Sequence, residues 1–126
     1  MAGKILIVED NSRFAEILAT LLNEAGYEIS LAKNSGQGIG KALTERPDLI
    51  LTDLNLPDMT AIEAITILKK IRFTSGIPIV VLTAETARQL KTKALKAGAA
   101  EYILKPVSPR DLVRIVRKFL RPFRPK

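Results

Sequence analysis

The chain predicts an α/β fold, a doubly wound five-stranded parallel sheet with five helices. Three observations lead there. Five short apolar runs, several of them β-branched, recur along 126 residues. A segment of helical periodicity follows each run. The residues at or just past the ends of four of the runs carry acids, a hydroxyl or an ammonium. Strands that alternate with helices imply parallel pairing with both sheet faces covered, and right-handed crossovers then favour the doubly wound arrangement.

The first strand is expected over residues 4–8, KILIV, which is too short for the core of a signal peptide and is followed at once by Glu9 and Asp10. A helix over 12–25 comes next, with Ser12 as its N-cap and Gly26 as its stop. The second strand covers 28–32. Its helix, 36–45, is weakened by Gly38 and Gly40. The third strand, 49–52, is LILT and runs into Asp53, an odd ending because a lone buried carboxylate is costly. Helix 61–72, strand 79–83 and helix 86–97 follow, the last ended by Gly98. Strand 102–104 then leads to Ser108 and Pro109, a capping residue before proline at the first helical position of helix 109–120. With no internal repeat or low-complexity linker, residues 1–121 read as one domain. Residues 122–126 read as a basic Pro/Arg-rich tail or the start of a linker.

Composition narrows the chemistry. At 47% hydrophobic and 26% charged, the chain has the profile of a globular domain. No apolar run approaches the roughly 18–20 residues of a membrane span. There is no cysteine, hence no disulfide, thiol nucleophile or thiolate metal site; a cytoplasmic setting is compatible. There is no histidine, hence no Ser-His-Asp arrangement and no imidazole ligand. A metal would have to be held by oxygens, which points to a hard ion such as magnesium. The net charge of +7 is uneven: residues 1–104 balance, whereas 105–126 carry 8 basic groups against Asp111 alone.

In doubly wound sheets, sites form beyond the carboxyl ends of the strands. There this chain has Glu9 and Asp10, then Asp53 with Asn55 two residues on, then Thr83, then Lys105. Three clustered carboxylates repel one another unless a cation joins them. Magnesium suits such a group, with Asp10 and Asp53 as direct ligands and Glu9 bound directly or through water. Lys105 and Thr83 add a fixed charge and a hydroxyl, and the set would receive the oxygens of a transferring phosphoryl group. A carboxylate can itself be the nucleophile, giving an aspartyl phosphate.

On Glu9-Asp10, Asp53, the Leu56-Pro57-Asp58-Met59 segment, Thr83-Ala84, Tyr102 and Lys105-Pro106, the chain resembles a receiver domain of the two-component response regulators over essentially its whole length. None of these residues is specific alone, but their joint order at successive strand ends is. The resemblance implies a flavodoxin-like strand order, 2-1-3-4-5. It implies that Asp53 accepts a phosphoryl group from a histidine kinase or phosphotransfer protein. Mg2+ would be held by Glu9, Asp10, Asp53 and the backbone carbonyl of Asn55. Lys105 would pair with the phosphoryl oxygens, and its bond to Pro106 is typically cis in such domains. Thr83 and Tyr102 would be the switch residues. Asn55 and Glu85 resemble the pair that tunes hydrolysis in chemotaxis-type regulators, whose phosphate is short-lived. Such a chain is a signalling switch in a phosphorelay, catalysing only its own phosphoryl transfer and loss. Departures are Glu9, where aspartate is more frequent, and Thr60-Ala61, where an aspartate or asparagine before glycine is common.

Plainer readings stand beside these. Asp53 alone could serve a turn, Glu9-Asp10 could favour a helix N-terminus, and Lys105 alone could be a solvated charge. A flavin carrier of the same topology would want a Ser-, Thr- and Gly-rich loop after the first strand, where this chain has Glu9-Asp10-Asn11-Ser12-Arg13. A receiver-like module that only binds partners is opposed by the complete set of acids, hydroxyl and lysine. The last helix places Arg110, Arg114, Arg117, Lys118 and Arg121 on one side and apolar residues on the other. It reads either as a solvated face or as part of a partner surface made with the fourth helix and last strand, with a phosphorylation-dependent homodimer as one outcome. No aromatic platform accompanies the basic residues, which argues against direct nucleic-acid binding.

Overall fold

The computed structural model describes residues 3–120; Arg121 and the expected tail, 122–126, lie outside the described residues. Strands β1 (Lys4–Val8), β2 (Glu28–Ala32), β3 (Leu49–Thr52), β4 (Ile79–Thr83) and β5 (Glu101–Leu104) form one sheet of order β2-β1-β3-β4-β5. Every pairing is parallel. Five helices complete the chain: α1 (Ser12–Glu24), α2 (Ser35–Glu45), α3 (Ala61–Lys70), α4 (Arg88–Ala97) and α5 (Pro109–Phe119). The expected architecture and strand order are therefore both present.

The two-residue period of a strand sorts its side chains into two layers. Leu6, Val8, Ile50, Ile79 and Val81 pack with Ala42 of α2, Ile65 and Leu68 of α3 and Ala94 of α4. Ile5, Ile7, Leu49, Leu51, Val80 and Leu82 pack on the other side with Leu18 and Leu22 of α1 and Leu112 and Val116 of α5. Because helices cover both faces, the central strands read as continuous apolar runs. The order reverses between β1 and β3, so the ends of those two strands border the crevice where such sheets bind ligands. No helix among the described residues is long and apolar enough to cross a membrane.

Helix ends differ from the sequence reading where caps or tertiary bonds intervene. The N-cap of α1 is Asn11, not Ser12: the Asn11 side chain accepts from the Phe14 N–H, and Ser12 is the first helical residue. Helix α2 begins one residue early, at Ser35, because Asn34 accepts from the Gln37 N–H. Helix α3 stops at Lys70, not 72. Helix α4 starts at Arg88, not 86, with Ala87 at the cap position and no side-chain cap bond. Strand β5 begins one residue early, at Glu101, which pairs with Val80. Ser108 and Pro109 open α5 as expected, with the Ser108 side chain accepting from the Asp111 N–H. Gly26 and Gly98 both have positive φ, the conformation that lets them end α1 and α4.

Candidate functional site

The sheet brings the acids together through its own ladder. The Glu9 N–H donates to the Ala32 carbonyl of β2 at 2.9 Å, and the Asp53 N–H donates to the Val8 carbonyl of β1 at 3.0 Å, so the two acids leave the ends of adjacent strands, β1 and β3. Glu9, Asp10 and Asp53 each offer a carboxylate oxygen, all within 4.8 Å of one another. Asp10 is exposed, Asp53 half-buried and Glu9 buried at 4% exposure.

Lys105 arrives from the far side. Its N–H donates to the Thr83 carbonyl at 2.8 Å, extending the β4–β5 ladder past the strand end. The Lys105–Pro106 peptide is cis. The Lys105 ammonium donates to Glu9 Oε1 at 3.0 Å and to Asp53 Oδ2 at 3.4 Å. Burial holds the Glu9 carboxyl above its ordinary range, against the opposing pull of Lys105 and of the Asn11 N–H. Asp53 Oδ1 accepts from the Leu54 N–H at 2.6 Å.

A second set of residues spans the rim. The Asn55 amide donates to the Glu85 carboxylate at 2.7 Å. The Glu85 carbonyl accepts from the Tyr102 hydroxyl at 2.8 Å, and the Glu85 N–H donates to Thr83 Oγ1 at 3.3 Å. Burial, then the negative charges of Glu85 and Asp53, hold the Tyr102 hydroxyl above its ordinary range. Thr83 is buried at the end of β4, beneath this link.

The donor set suits a hard divalent cation. All three acids present oxygens, the loop after β3 is open to water at Asn55, and no softer ligand is at hand in a chain without cysteine or histidine. The Lys105 ammonium already balances part of the charge on Glu9 and Asp53.

Two residues of the site were not assigned a role from sequence. Phe14 lies with its ring centroid 4.2 Å from the Lys105 ammonium. In the sequence it is one more apolar residue at helical spacing. Asp58, quoted only as part of a motif, accepts from the backbone N–H groups of Ser35, Gly36 and Met59 at 2.8–2.9 Å. It ties the loop carrying Asp53 and Asn55 to the start of α2, and the Ser35 hydroxyl adds a bond to the Met59 carbonyl. The Asn34-Ser35-Gly36 turn carries a helix-start signal, but nothing in it names Asp58 as its partner.

The chain is similar to the phosphate regulon transcriptional regulatory protein PhoB of Pseudomonas aeruginosa, at 43% identity over 122 residues, 96% of this chain and 53% of that protein. It is similar to the DNA-binding response regulator MtrA of Mycobacterium tuberculosis, at 39% identity over 121 residues, 96% of this chain and 52% of that protein. The chain thus spans about half the length of the curated relatives it matches. Among solved structures it resembles the receiver domain of the sensor histidine kinase PA1611 from Pseudomonas aeruginosa PAO1, which holds a magnesium ion coordinated in its active site cleft. That likeness has a TM-score of 0.87 and 28% identity, over 94% of this chain and 98% of the other. The relatives are a transcriptional regulator and a DNA-binding regulator, so the expectation against nucleic-acid binding finds no support in them. The family model of the response regulator receiver domain matches residues 5–117, from β1 into α5, and the chain belongs to that family.

Proposed function

We propose that the chain accepts a phosphoryl group onto Asp53 from a histidine kinase or phosphotransfer protein, with Mg2+ held by Glu9, Asp10, Asp53 and the Asn55 backbone carbonyl. The supporting observation is the Lys105 ammonium, 3.0 Å from Glu9 and 3.4 Å from Asp53, beside three acids within 4.8 Å of one another. A bond forms between an Asp53 carboxylate oxygen and phosphorus as the phosphorus–nitrogen bond to the donor imidazole breaks and its electron pair returns to the ring. When bound, Mg2+ would neutralise charge on the phosphoryl oxygens. Lys105 supplies a second, fixed positive charge to the same oxygens. The chain is a signalling domain in this reading, and the only reaction it assists is the gain and loss of its own phosphoryl group.

Phosphorylation then acts on Thr83 and Tyr102, which the Glu85 backbone links. The altered surface is the one formed by α4, β5 and α5. Arg88, Lys91, Lys93 and Lys96 are exposed on α4, and Lys118 of α5 pairs with Glu101 of β5, which favours an acidic partner surface. A second copy of the chain is the other partner to test on this face. The named roles of the relatives support control of transcription as the output, and a cytoplasmic setting follows from that role.

Incubation with Mg2+ and acetyl phosphate, followed by intact-mass measurement, tests the proposal. The wild type gains one phosphoryl group and Asp53→Ala gains none. No gain in the wild type, or an undiminished gain in Asp53→Ala, overturns it. A yellow purified protein would instead favour the flavin reading.

A further inference from the structure

We infer that Phe14 is a positioning residue of this centre, whose ring holds the Lys105 ammonium against Glu9 and Asp53. The inference rests on the reading of Asp53 as phosphoacceptor. An ammonium has three donors and no acceptor. Two point at carboxylates, Glu9 Oε1 at 3.0 Å and Asp53 Oδ2 at 3.4 Å. The Phe14 ring, with its centroid 4.2 Å away, covers a further side of the same nitrogen. Its negative face attracts the cation, more strongly where water is partly excluded. The Lys105 side chain is such a place, at 21% exposure.

Phe14 is itself fixed. It sits in the first turn of α1, where its N–H donates to Asn11 Oδ1 at 3.0 Å, and its side chain packs at the edge of the layer between the sheet, α1 and α5. The Asn11 N–H in turn donates to Glu9 Oε2 at 3.1 Å. One short segment, residues 9–14, therefore supplies an acid, a helix cap and a ring around a single ammonium.

The chemistry explains why a ring serves here. A free lysine stem samples many rotamers, and ordering it is entropically costly. A third carboxylate would restrain the ammonium, but it would compete with the phosphoryl oxygens for its protons. A ring restrains it without adding an acceptor that would compete with the transferring group for its protons. A leucine at this position would fill the edge of the core without offering a negative face.

That difference is the test. Phosphorylation by acetyl phosphate is timed in the wild type, Phe14→Leu and Phe14→Tyr. Phe14→Leu is expected to be about five-fold slower, and Phe14→Tyr close to wild type. In a Lys105→Ala background, Phe14→Leu should cause no further loss. Equal rates in the wild type and Phe14→Leu, or an equal loss with and without Lys105, would overturn the inference. NMR of the lysine side-chain amines gives a readout independent of phosphotransfer. The Lys105 signal should stand apart from those of exposed lysines in the wild type and Phe14→Tyr, and merge with them in Phe14→Leu. An unmoved Lys105 signal in Phe14→Leu overturns the role. If the wild type takes up no phosphoryl group, the Asp53 reading fails, and the NMR comparison still decides whether Phe14 holds Lys105.

Discussion

Asn55 and Glu85 close the rim of the site: the amide of one donates to the carboxylate of the other at 2.7 Å, joining the loop after β3 to the loop after β4. Glu85 also meets the switch residues, through its carbonyl to the Tyr102 hydroxyl and its N–H to the Thr83 hydroxyl. In the proposed reading the pair borders the site, where it would orient the water that attacks the acyl phosphate, and it is linked to both proposed moving parts. Asn55→Ala or Glu85→Ala is expected to lengthen the life of the phosphoryl group about five-fold, the order expected for losing one charge-assisted hydrogen bond. Loss of the added mass after removal of the phosphodonor measures it. Decay at the wild-type rate in both variants would end this assignment.

Asp58 holds the same loop from behind. The hydrogen bond from Gly36, then those from Ser35 and Met59, keep its carboxyl below its ordinary value of 3.8. A folded-state pKa below the unfolded one means stability that is present above the unfolded value and lost as pH falls through the folded one. Asp58→Ala should therefore melt at a lower temperature than the wild type at neutral pH. The gap should close on acidification below about pH 4. A gap independent of pH would show that these bonds do not require the charge.

Of the three glycines in α2, Gly38 and Gly40 should respond in opposite directions to alanine. A Cβ at Gly40 would meet nothing within 4 Å, so the substitution removes only the entropic penalty of glycine in a helix. Gly40→Ala is expected to stabilise by about 0.5–1 kcal/mol. A Cβ at Gly38 would lie 2.9 Å from Val8 Cγ2, a branched side chain buried in the sheet. Overpacking there costs about 1–3 kcal/mol, so Gly38→Ala should be a net loss. Urea melts of both variants measure the two signs, and stabilisation by Gly38→Ala would mean that Val8 yields freely.

Gly38 and Gly40 also show where the sequence was legible. Both weaken the helical pattern equally, and only the packing of α2 on Val8 tells them apart. The strands were readable because both sheet faces are covered, so apolar runs such as LILT and IVVLT stand out, with their boundaries set by the polar residues that follow. Four strand spans agree in full. Strand β5 was shortened because Glu101, polar and at the sheet edge, breaks the apolar run. The start of α4 was misplaced because residues 86–87 look helical, whereas Glu85 just before them is held by Asn55 and Tyr102 in the loop. Glu9, Asp10, Asp53 and Lys105 were found because each follows a strand. Phe14 and the Asp58 clamp act through contacts between distant segments, and neither leaves a local pattern to read.

The buried Glu9 carboxyl should make metal binding depend on pH in a range where an ordinary glutamate would not. Burial favours its neutral form and outweighs the ion pair with Lys105, so its pKa stands above the ordinary 4.5. A metal ion needs the carboxylate, and binding must release any proton held there. Mg2+ affinity should therefore be full near neutrality and fall as pH drops, with a midpoint above 4.5. Calorimetric titration of Mg2+ between about pH 4 and 8 measures the midpoint, and repeating it in buffers of different ionisation enthalpy counts the protons released. Glu9→Gln should bind Mg2+ more weakly at neutral pH and lose the portion of the pH dependence that lies above the ordinary carboxylate range. If the wild type instead loses Mg2+ only below the range of an ordinary glutamate, then Glu9 stays ionised through its partnership with Lys105, and burial does not govern its charge.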